Sequence, residues 1–148
     1  KSTDYTVIIG LDQFGATCYY DRFQKDWRQT TQSILALPPG PIRIDSTGVG
    51  DPIAEEIQSK RGNVSGFKFT SITKQQIMEG LALSIQQKKV SFPDGLIVTE
   101  LEQFEFEYTR SGVRYTAPPG LHDDCVCALA LAVDLHKTAA AMGNYSWV

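Results

Sequence analysis

The pattern of hydrophobic and polar positions divides the chain into short strands and helices that alternate over most of its length. Two runs rich in β-branched and aromatic residues, 5–11 and 16–23, flank the turn residues Asp12-Gln13-Phe14-Gly15 and predict a β-hairpin. Apolar residues at helical spacing and short apolar runs predict helices over 27–37, 51–59 and 73–89 and strands at 42–44 and 64–69.

The last third of the chain predicts a β-ribbon and a long helix. Residues 104–108 alternate apolar and acidic side chains, as in a strand solvated on one face, and a turn leads to a partner strand at 113–116. An alanine-rich helix follows over 123–142, whereas the segment 96–101 fits neither pattern. We therefore predict an α/β fold: a mixed central sheet flanked by helices, an antiparallel first meander, right-handed crossovers and an extra β-ribbon.

Composition narrows the class of protein. The chain has 148 residues, the size of one domain, with 42% hydrophobic residues and a formal net charge of −3. A protein that coats nucleic acid through phosphate contacts is usually basic, so that role is disfavoured, whereas bound cations would add positive charge that the count omits. Three cysteines without a regular framework indicate free thiols, and no apolar run is long enough to span a membrane. These features predict a soluble intracellular domain.

Two acidic positions lie where an α/β sheet builds its sites. Asp45 follows the strand at 42–44, and the carboxyl ends of strands are where such sites are found, although Asp45 also begins good turn chemistry. Asp123 and Asp124 stand at the start of the last helix, where acidic residues can simply cap the helix. Two adjacent carboxylates exceed what one cap needs, and the pattern leaves both interpretations open.

Carboxylates contributed by separate elements are typical ligands of hard cations. Magnesium and manganese prefer oxygen ligands, and two ions about 3.5–4 Å apart can stabilise both the attacking and the leaving oxygen of a phosphoryl transfer. The chain has no phosphate-binding GxxxxGK[ST] loop, no GxGxxG motif and no Ser/His/Asp order. Nucleotide binding and hydrolysis through a covalent nucleophile are therefore unsupported.

Basic residues mark a candidate path for DNA. Arg110 and Arg114 flank the turn of the ribbon. Lys74 opens its helix, where a cation opposes the helix dipole, and this favours Lys74 as the partner of a phosphate or a carboxylate. For each of the three, the alternative is an ordinary solvated surface charge.

Taken in order, six segments resemble the C-terminal nuclease domain of the large terminase subunit of tailed bacteriophages. That family has the RNase H-like, resolvase-type fold. The matching segments cover most of the chain in the family's order: 4–8, 44–51, 69–74, 90–93, 101–104 and 120–124, the last just before the alanine-rich helix.

The resemblance implies a metal-dependent endonuclease that cuts concatemeric viral DNA during genome packaging with two magnesium or manganese ions. Asp45 matches the family's second metal-binding carboxylate, and the pair Asp123-Asp124 matches the third, with Asp124 favoured as the direct ligand. His122 matches a residue that supports the ligands or acts as a general acid or base. The ribbon would guide the double-stranded DNA.

The resemblance also sets expectations about the rest of the protein. The family's first catalytic aspartate lies on a strand that would precede Lys1, so we expect residues 1–148 to form a single nuclease domain that lacks this strand and the ATPase domain. The partners implied for an intact subunit are that ATPase domain, the small terminase subunit and the portal protein, in the host cell cytoplasm and without a membrane.

Two other functions remain open from the sequence. The domain could be a catalytically incomplete DNA-binding or docking module of the packaging motor, because one carboxylate is missing from the chain. It could also be a resolvase-like nuclease of the same fold. The order of ribbon and terminal His-Asp-Asp segment favours the terminase interpretation over the resolvase one.

Overall fold

The computed structural model describes residues 5–48, 52–109, 112–118 and 122–142. Each predicted strand and helix is present within these ranges, with ends that differ by a few residues, and the unassigned segment 96–101 belongs to a helix. The elements are β1 (Thr6–Leu11), β2 (Thr17–Phe23), α1 (Trp27–Leu35), β3 (Ile42–Asp45), α2 (Pro52–Lys60), β4 (Val64–Phe67), α3 (Ser71–Gln86), α4 (Leu96–Gln103), β5 (Glu105–Thr109), β6 (Gly112–Thr116) and α5 (Asp124–Met142).

The strands pair in three ladders. β1 and β2 form the predicted antiparallel hairpin, β3 and β4 pair in parallel across α2, and β5 and β6 form the predicted ribbon. The α/β class with both parallel and antiparallel pairing is confirmed. Within the described residues the ladders are not hydrogen-bonded to one another as one continuous sheet, so their relative positions depend on helix packing.

The helix α5 is the centre of the core. It packs against β1, β3, α3 and α4, and its residues Val126 and Leu129 are almost completely buried. Its small side chains, predicted from the alanine-rich sequence, let neighbouring backbones approach closely. No helix in the described ranges combines the length and apolarity that crossing a bilayer requires.

The strand β1 runs in the same direction as α5. Just before β1, the backbone N–H of Tyr5 donates to Asp124 Oδ2 at the start of α5, at 3.1 Å. Beyond the other end of β1, the carbonyl oxygen of Gln13 lies 3.4 Å from Nε2 of His136, further along α5. Contacts at both ends therefore fix the position of β1 along this helix.

The strand β3 runs in the opposite direction. Near its start, Arg43 forms an ion pair with Asp134 in the middle of α5, and Asp45 at its end is within electrostatic reach of Cys127 in the first turn. Within the described residues β1 pairs only with β2, and β3 only with β4. Two strand edges that have no partner in these ranges therefore lie along one helix.

The turn of the first hairpin is fastened to the segment after α3. Asp12 Oδ1 accepts the backbone N–H groups of Phe14 and Ala16, which shapes the turn, and Ser91 binds the far side through its N–H to the carbonyl oxygen of Gly15 at 3.0 Å. Gly15 has a φ of +82°, and a Cβ on it would lie 2.0 Å from the carbonyl oxygen of Lys89. Only glycine fits this position.

We expect Gly15→Ala to lower the free energy of unfolding by at least about 1–3 kcal/mol, because it adds left-handed backbone strain and a clash with the backbone of Lys89. Thermal denaturation followed by circular dichroism measures the effect. Gly62→Ala is the matched control, since no atom lies within 4 Å of its added Cβ. Equal melting temperatures for the two variants would contradict this account of the turn.

Candidate active site

A cavity of about 870 Å³ lies among β1, β3, α1 and α5, and its charged end contains residues singled out from the sequence. Asp45, Asp123 and Asp124 all line it, together with Lys74. Carboxylates that are almost eighty residues apart in the sequence therefore face one space. The rest of the wall is largely apolar and is built from β1, β3 and the inner faces of α1 and α5.

Asp45 ends β3 and is fixed by the turn that follows. Its Oδ1 accepts the backbone N–H of Thr47 at 2.9 Å and also the hydroxyl of that residue. The Thr47 hydroxyl oxygen in turn accepts the N–H of Phe69 at 2.9 Å, which connects the turn to the end of β4. The turn chemistry that offered an alternative explanation for Asp45 is thus present, and it orients an exposed carboxylate at the mouth of the cavity.

Asp123 is paired with the lysine that the sequence marked as unusual. Lys74 Nζ lies 3.2 Å from Asp123 Oδ2, and both side chains are about a quarter exposed. Lys74 is in the first turn of α3, behind the capping box of Thr70 and Thr73. Its ammonium group also lies 5.9 Å from the centre of the Phe104 ring. Of the two partners considered from the sequence, the carboxylate is therefore the one in contact.

Asp124 lies in a cluster that also contains His122. Its Oδ2 accepts the N–H of Tyr5 and lies 3.7 Å from Nδ1 of His122. The Tyr5 ring meets the His122 ring edge to face, with centres 5.5 Å apart, while the Arg22 guanidinium lies 3.3 Å from the centre of the Tyr5 ring. The imidazole is thus held beside Asp124 by packing from β1 and β2.

The thiol of Cys127 lies within electrostatic reach of all three carboxylates. Burial is the main cause that raises its pKa to about 12, and Asp123, Asp124 and Asp45 all raise it further, while Lys74 lowers it. A raised thiol pKa means that the thiolate is disfavoured by the negative charges around it. All three carboxylates therefore act on one point in the first turn of α5.

The sequence interpretation missed Glu100 in α4. Its side chain is 4% exposed, and its Oε1 accepts the N–H groups of Cys125 and Val126 at 2.9 and 3.3 Å. Burial raises the pKa of this carboxyl group. A signal was present, because Glu100 stands in the apolar stripe of α4, between Ile97 and Leu101 at helical spacing.

Some predicted features lie outside the described structure or are incomplete in it. Arg110 is outside the described residues, and Arg114 lies in β6, where only the backbone pairing is described. Within the described ranges, no group of three or more histidine, cysteine, aspartate or glutamate side chains is close enough to hold a metal ion. The carboxylates at the cavity therefore do not by themselves form a closed ligand set.

The chain is similar to large terminase subunits and to large terminase nuclease domains. It is 32% identical over 146 residues to the large terminase subunits of Thermus phage G20c and Thermus virus P23-45, an alignment that includes 93% of the chain but 30% of each relative. The chain thus spans less than a third of the length of these relatives. A comparison with protein-family profiles gives no match.

The chain is also similar in structure to large terminase nucleases whose structures have been solved. The large terminase nuclease of phage G20c with bound magnesium has a TM-score of 0.74 and 29% identity, covering 90% of this chain and 82% of that one. The same nuclease with bound cobalt has a TM-score of 0.72. The large terminase nuclease domain of Thermus phage P74-26 has a TM-score of 0.70 at 26% identity, covering 86% of this chain and 78% of that one.

We expect the three cysteines to differ sharply in reactivity. Cys18 is exposed, whereas burial is the main cause that raises the pKa of Cys125 to about 11 and that of Cys127 to about 12. Because the thiolate is the nucleophile, a maleimide at neutral pH should label only Cys18 in the folded chain and all three thiols after unfolding. Intact mass spectrometry measures the number of labels.

The Cys18→Ser variant is the control for this experiment, and it should take up no label while folded. Labelling of Cys127 as fast as that of Cys18 would contradict the packing described for the start of α5.

Proposed function

Because this chain belongs to the large terminase nuclease domains, which have the RNase H-like fold, we propose that it is a divalent-metal-dependent endonuclease that cuts double-stranded DNA. The observation that carries the proposal is the meeting of Asp45, Asp123 and Asp124 at one end of a single cavity. These positions come from two elements that the fold brings together, which is how a hydrolytic metal site is usually assembled.

The donor set fits a hard divalent cation. The three side chains offer carboxylate oxygens, which magnesium and manganese prefer, whereas the soft sulfur of the nearby Cys127 is a ligand that these hard cations do not favour. Asp45, Asp124 and Asp123 would hold the metal, with two ions as the working number. Bound divalent cations would supply a water of lowered pKa and charge stabilisation for the leaving oxygen.

The neighbouring side chains orient these carboxylates. Thr47 fixes one oxygen of Asp45, and the N–H of Tyr5 fixes one oxygen of Asp124. Lys74 holds Asp123 in an ion pair. Lys74 would also be within reach of a scissile phosphate bound to the metal ion that this carboxylate holds. His122, beside Asp124, would hold or pass on a proton near the reacting atoms.

We propose that the ribbon of β5 and β6 guides DNA towards the cavity. The ribbon packs on α3, where the N–H of Val113, next to the turn, donates to Gln75 Oε1 at 3.2 Å. Near the other end of the ribbon, Phe104 stacks on Tyr115 with ring centres 6.2 Å apart, and the Phe104 ring lies 5.9 Å from Lys74 Nζ. We expect Arg110 and Arg114, near the turn of the ribbon, to contact the DNA backbone.

A further strand would complete this site. All residues from Thr6 to Leu11 in β1 and from Ile42 to Asp45 in β3 line the cavity. Because side chains alternate between the two faces of a strand, a space lined by consecutive residues runs along strand edges rather than faces. A strand between β1 and β3 would satisfy both edges and end beside Asp45.

The geometry also indicates how such a strand would connect. It would run parallel to β3 and antiparallel to β1, and β1 begins at the charged end of the cavity, where Tyr5 contacts Asp124. A strand that leads directly into β1 would therefore end at the charged end, beside Asp45. A carboxylate carried by such a strand would complete the ligand set there.

The biological setting is part of the proposal. In an intact terminase the domain would cut concatemeric viral DNA during packaging, next to an ATPase domain and with the small subunit and the portal protein as partners. That activity would take place in the host cell cytoplasm.

We expect cleavage of a supercoiled plasmid in the presence of manganese, and its reduction to background by Asp45→Asn or Asp124→Asn, because each change removes a charged ligand. Gel electrophoresis measures nicking and linearisation. Asp94→Asn is the matched control, since Asp94 is exposed and does not line the cavity, and it should cut like the unchanged chain.

Two forms of the protein separate the possibilities: residues 1–148, and a form extended by the residues encoded directly before Lys1. Cleavage only by the extended form would support both the nuclease and the completing strand. Equal cleavage by both forms would refute the strand. Cleavage by neither, with DNA binding retained, would favour a docking module over a nuclease, and a preference for branched DNA would favour a resolvase.

A further inference from the structure

The start of α5 is capped by a side chain from another helix. The N–H of Cys127 donates to the carbonyl oxygen of Asp123 at 2.9 Å, which is the first hydrogen bond of the helix and puts Asp123 at the N-cap position. Cys125 and Val126 are then the second and third helical residues. Their N–H groups are the donors that an N-cap side chain ordinarily binds.

Both of these donors go to Glu100. Its Oε1 accepts the N–H of Cys125 at 2.9 Å and that of Val126 at 3.3 Å, while the side chain of Asp123 in the N-cap position extends to Lys74 instead. A carboxylate at this position also interacts favourably with the positive end of the helix dipole. The capping function that the sequence allowed for Asp123 is thus supplied from α4.

From this arrangement we infer that Glu100 is a positioning residue: by binding the N–H groups of Cys125 and Val126 it fixes the start of α5, and with it the backbone that directs the carboxylates of Asp123 and Asp124 towards the metal ions of the proposed nuclease. The positioning of metal ligands rests on the proposed nuclease function. The capping of α5 by Glu100 rests on the hydrogen bonds alone.

The burial of Glu100 points to a positional role. A carboxylate in the interior has a large desolvation cost, and helix caps are usually provided at lower cost by the N-cap residue itself. Moreover, Glu100 Oε2 is buried without a hydrogen-bond partner in the described ranges.

The packing of α4 in the core fixes the position of the Glu100 carboxylate. Ile97, one turn before Glu100, is 2% exposed and belongs to the hydrophobic core, as do Val126 and Leu129 of α5. The acceptor is therefore held by a packed helix, and its two donors lie on another. Because a metal site tolerates little displacement of its ligands, a shift at the start of α5 would act directly on Asp123 and Asp124.

Three variants separate positioning from simple stability. Glu100→Gln keeps an oxygen that can accept both N–H groups, whereas Glu100→Ala removes the acceptor. Ile97→Ala is the matched control, because it removes buried apolar volume from the same helix but leaves the Glu100 acceptor in place. Manganese binding is measured by isothermal titration calorimetry, in the form of the protein that cleaves DNA and below every variant's melting temperature.

We expect Glu100→Ala to raise the manganese dissociation constant by about 10- to 100-fold, the usual effect of losing a group that orients ligands. Glu100→Gln should restore most of the affinity, and Ile97→Ala should lower the melting temperature but leave the affinity unchanged. The same manganese affinity in Glu100→Ala and Ile97→Ala would overturn the inference, as would a Gln variant as weak as the Ala variant.

Hydrogen exchange on the metal-free protein tests the capping role of Glu100 independently of the proposed nuclease function. The amides of Cys125 and Val126 should lose protection in Glu100→Ala and keep it in Glu100→Gln. If the unchanged protein bound no manganese, the proposed function and the positioning role would both fail, whereas the capping role would still be decided by these two amides. If Glu100→Ala does not fold, the manganese affinities of Glu100→Gln and Ile97→Ala are compared with that of the unchanged protein.

Discussion

The structure depends on the packing of α5 along two strands that are not hydrogen-bonded to each other. Within the described ranges, β1 and β3 belong to separate ladders, and the helix contacts both. Its buried residues Val126 and Leu129 supply apolar contact, and the ion pair between Arg43 and Asp134 sets the position of β3 along it. Because both strands take their position from this helix, a displacement of α5 would move both walls of the cavity.

This constraint explains why acidic groups gather at one point. The end of β3 lies towards the start of α5 because the strand runs antiparallel to the helix, and Asp45, Asp123 and Asp124 therefore line the same cavity. Lys74, paired with Asp123, offsets one of these three negative charges. A divalent cation would neutralise the remainder, so a net charge of −3 is compatible with an enzyme that acts on DNA.

Most of the fold could be predicted from the sequence, because its elements are local patterns. The hairpin, the ribbon and the long final helix follow from alternation, turn residues and alanine content, and each has a boundary within a few residues of the predicted one. The helix α4 was not predicted, since its eight residues include β-branched Ile97, Val98 and Thr99, which weaken the helical signal.

The candidate site was only partly predictable for a different reason. Asp45, Asp123 and Asp124 stand next to recognisable element ends, and the resemblance to a known family puts them in order. The partners that orient them come from distant parts of the chain: Lys74 lies 49 residues before Asp123, and Tyr5 lies 119 residues before Asp124. No local pattern contains such pairs, because they exist only once the helices have packed.

The sequence left open whether the acidic residues at the start of α5 cap the helix or bind a metal ion. In the structure these two functions do not exclude each other. A helix start needs acceptors for its N–H groups, and a metal site needs carboxylate oxygens directed at the ion. With Glu100 accepting the N–H groups of Cys125 and Val126, the helix is capped and the neighbouring aspartates extend towards Lys74 and the N–H of Tyr5. The buried glutamate therefore caps a helix start whose own half-buried aspartates have other partners.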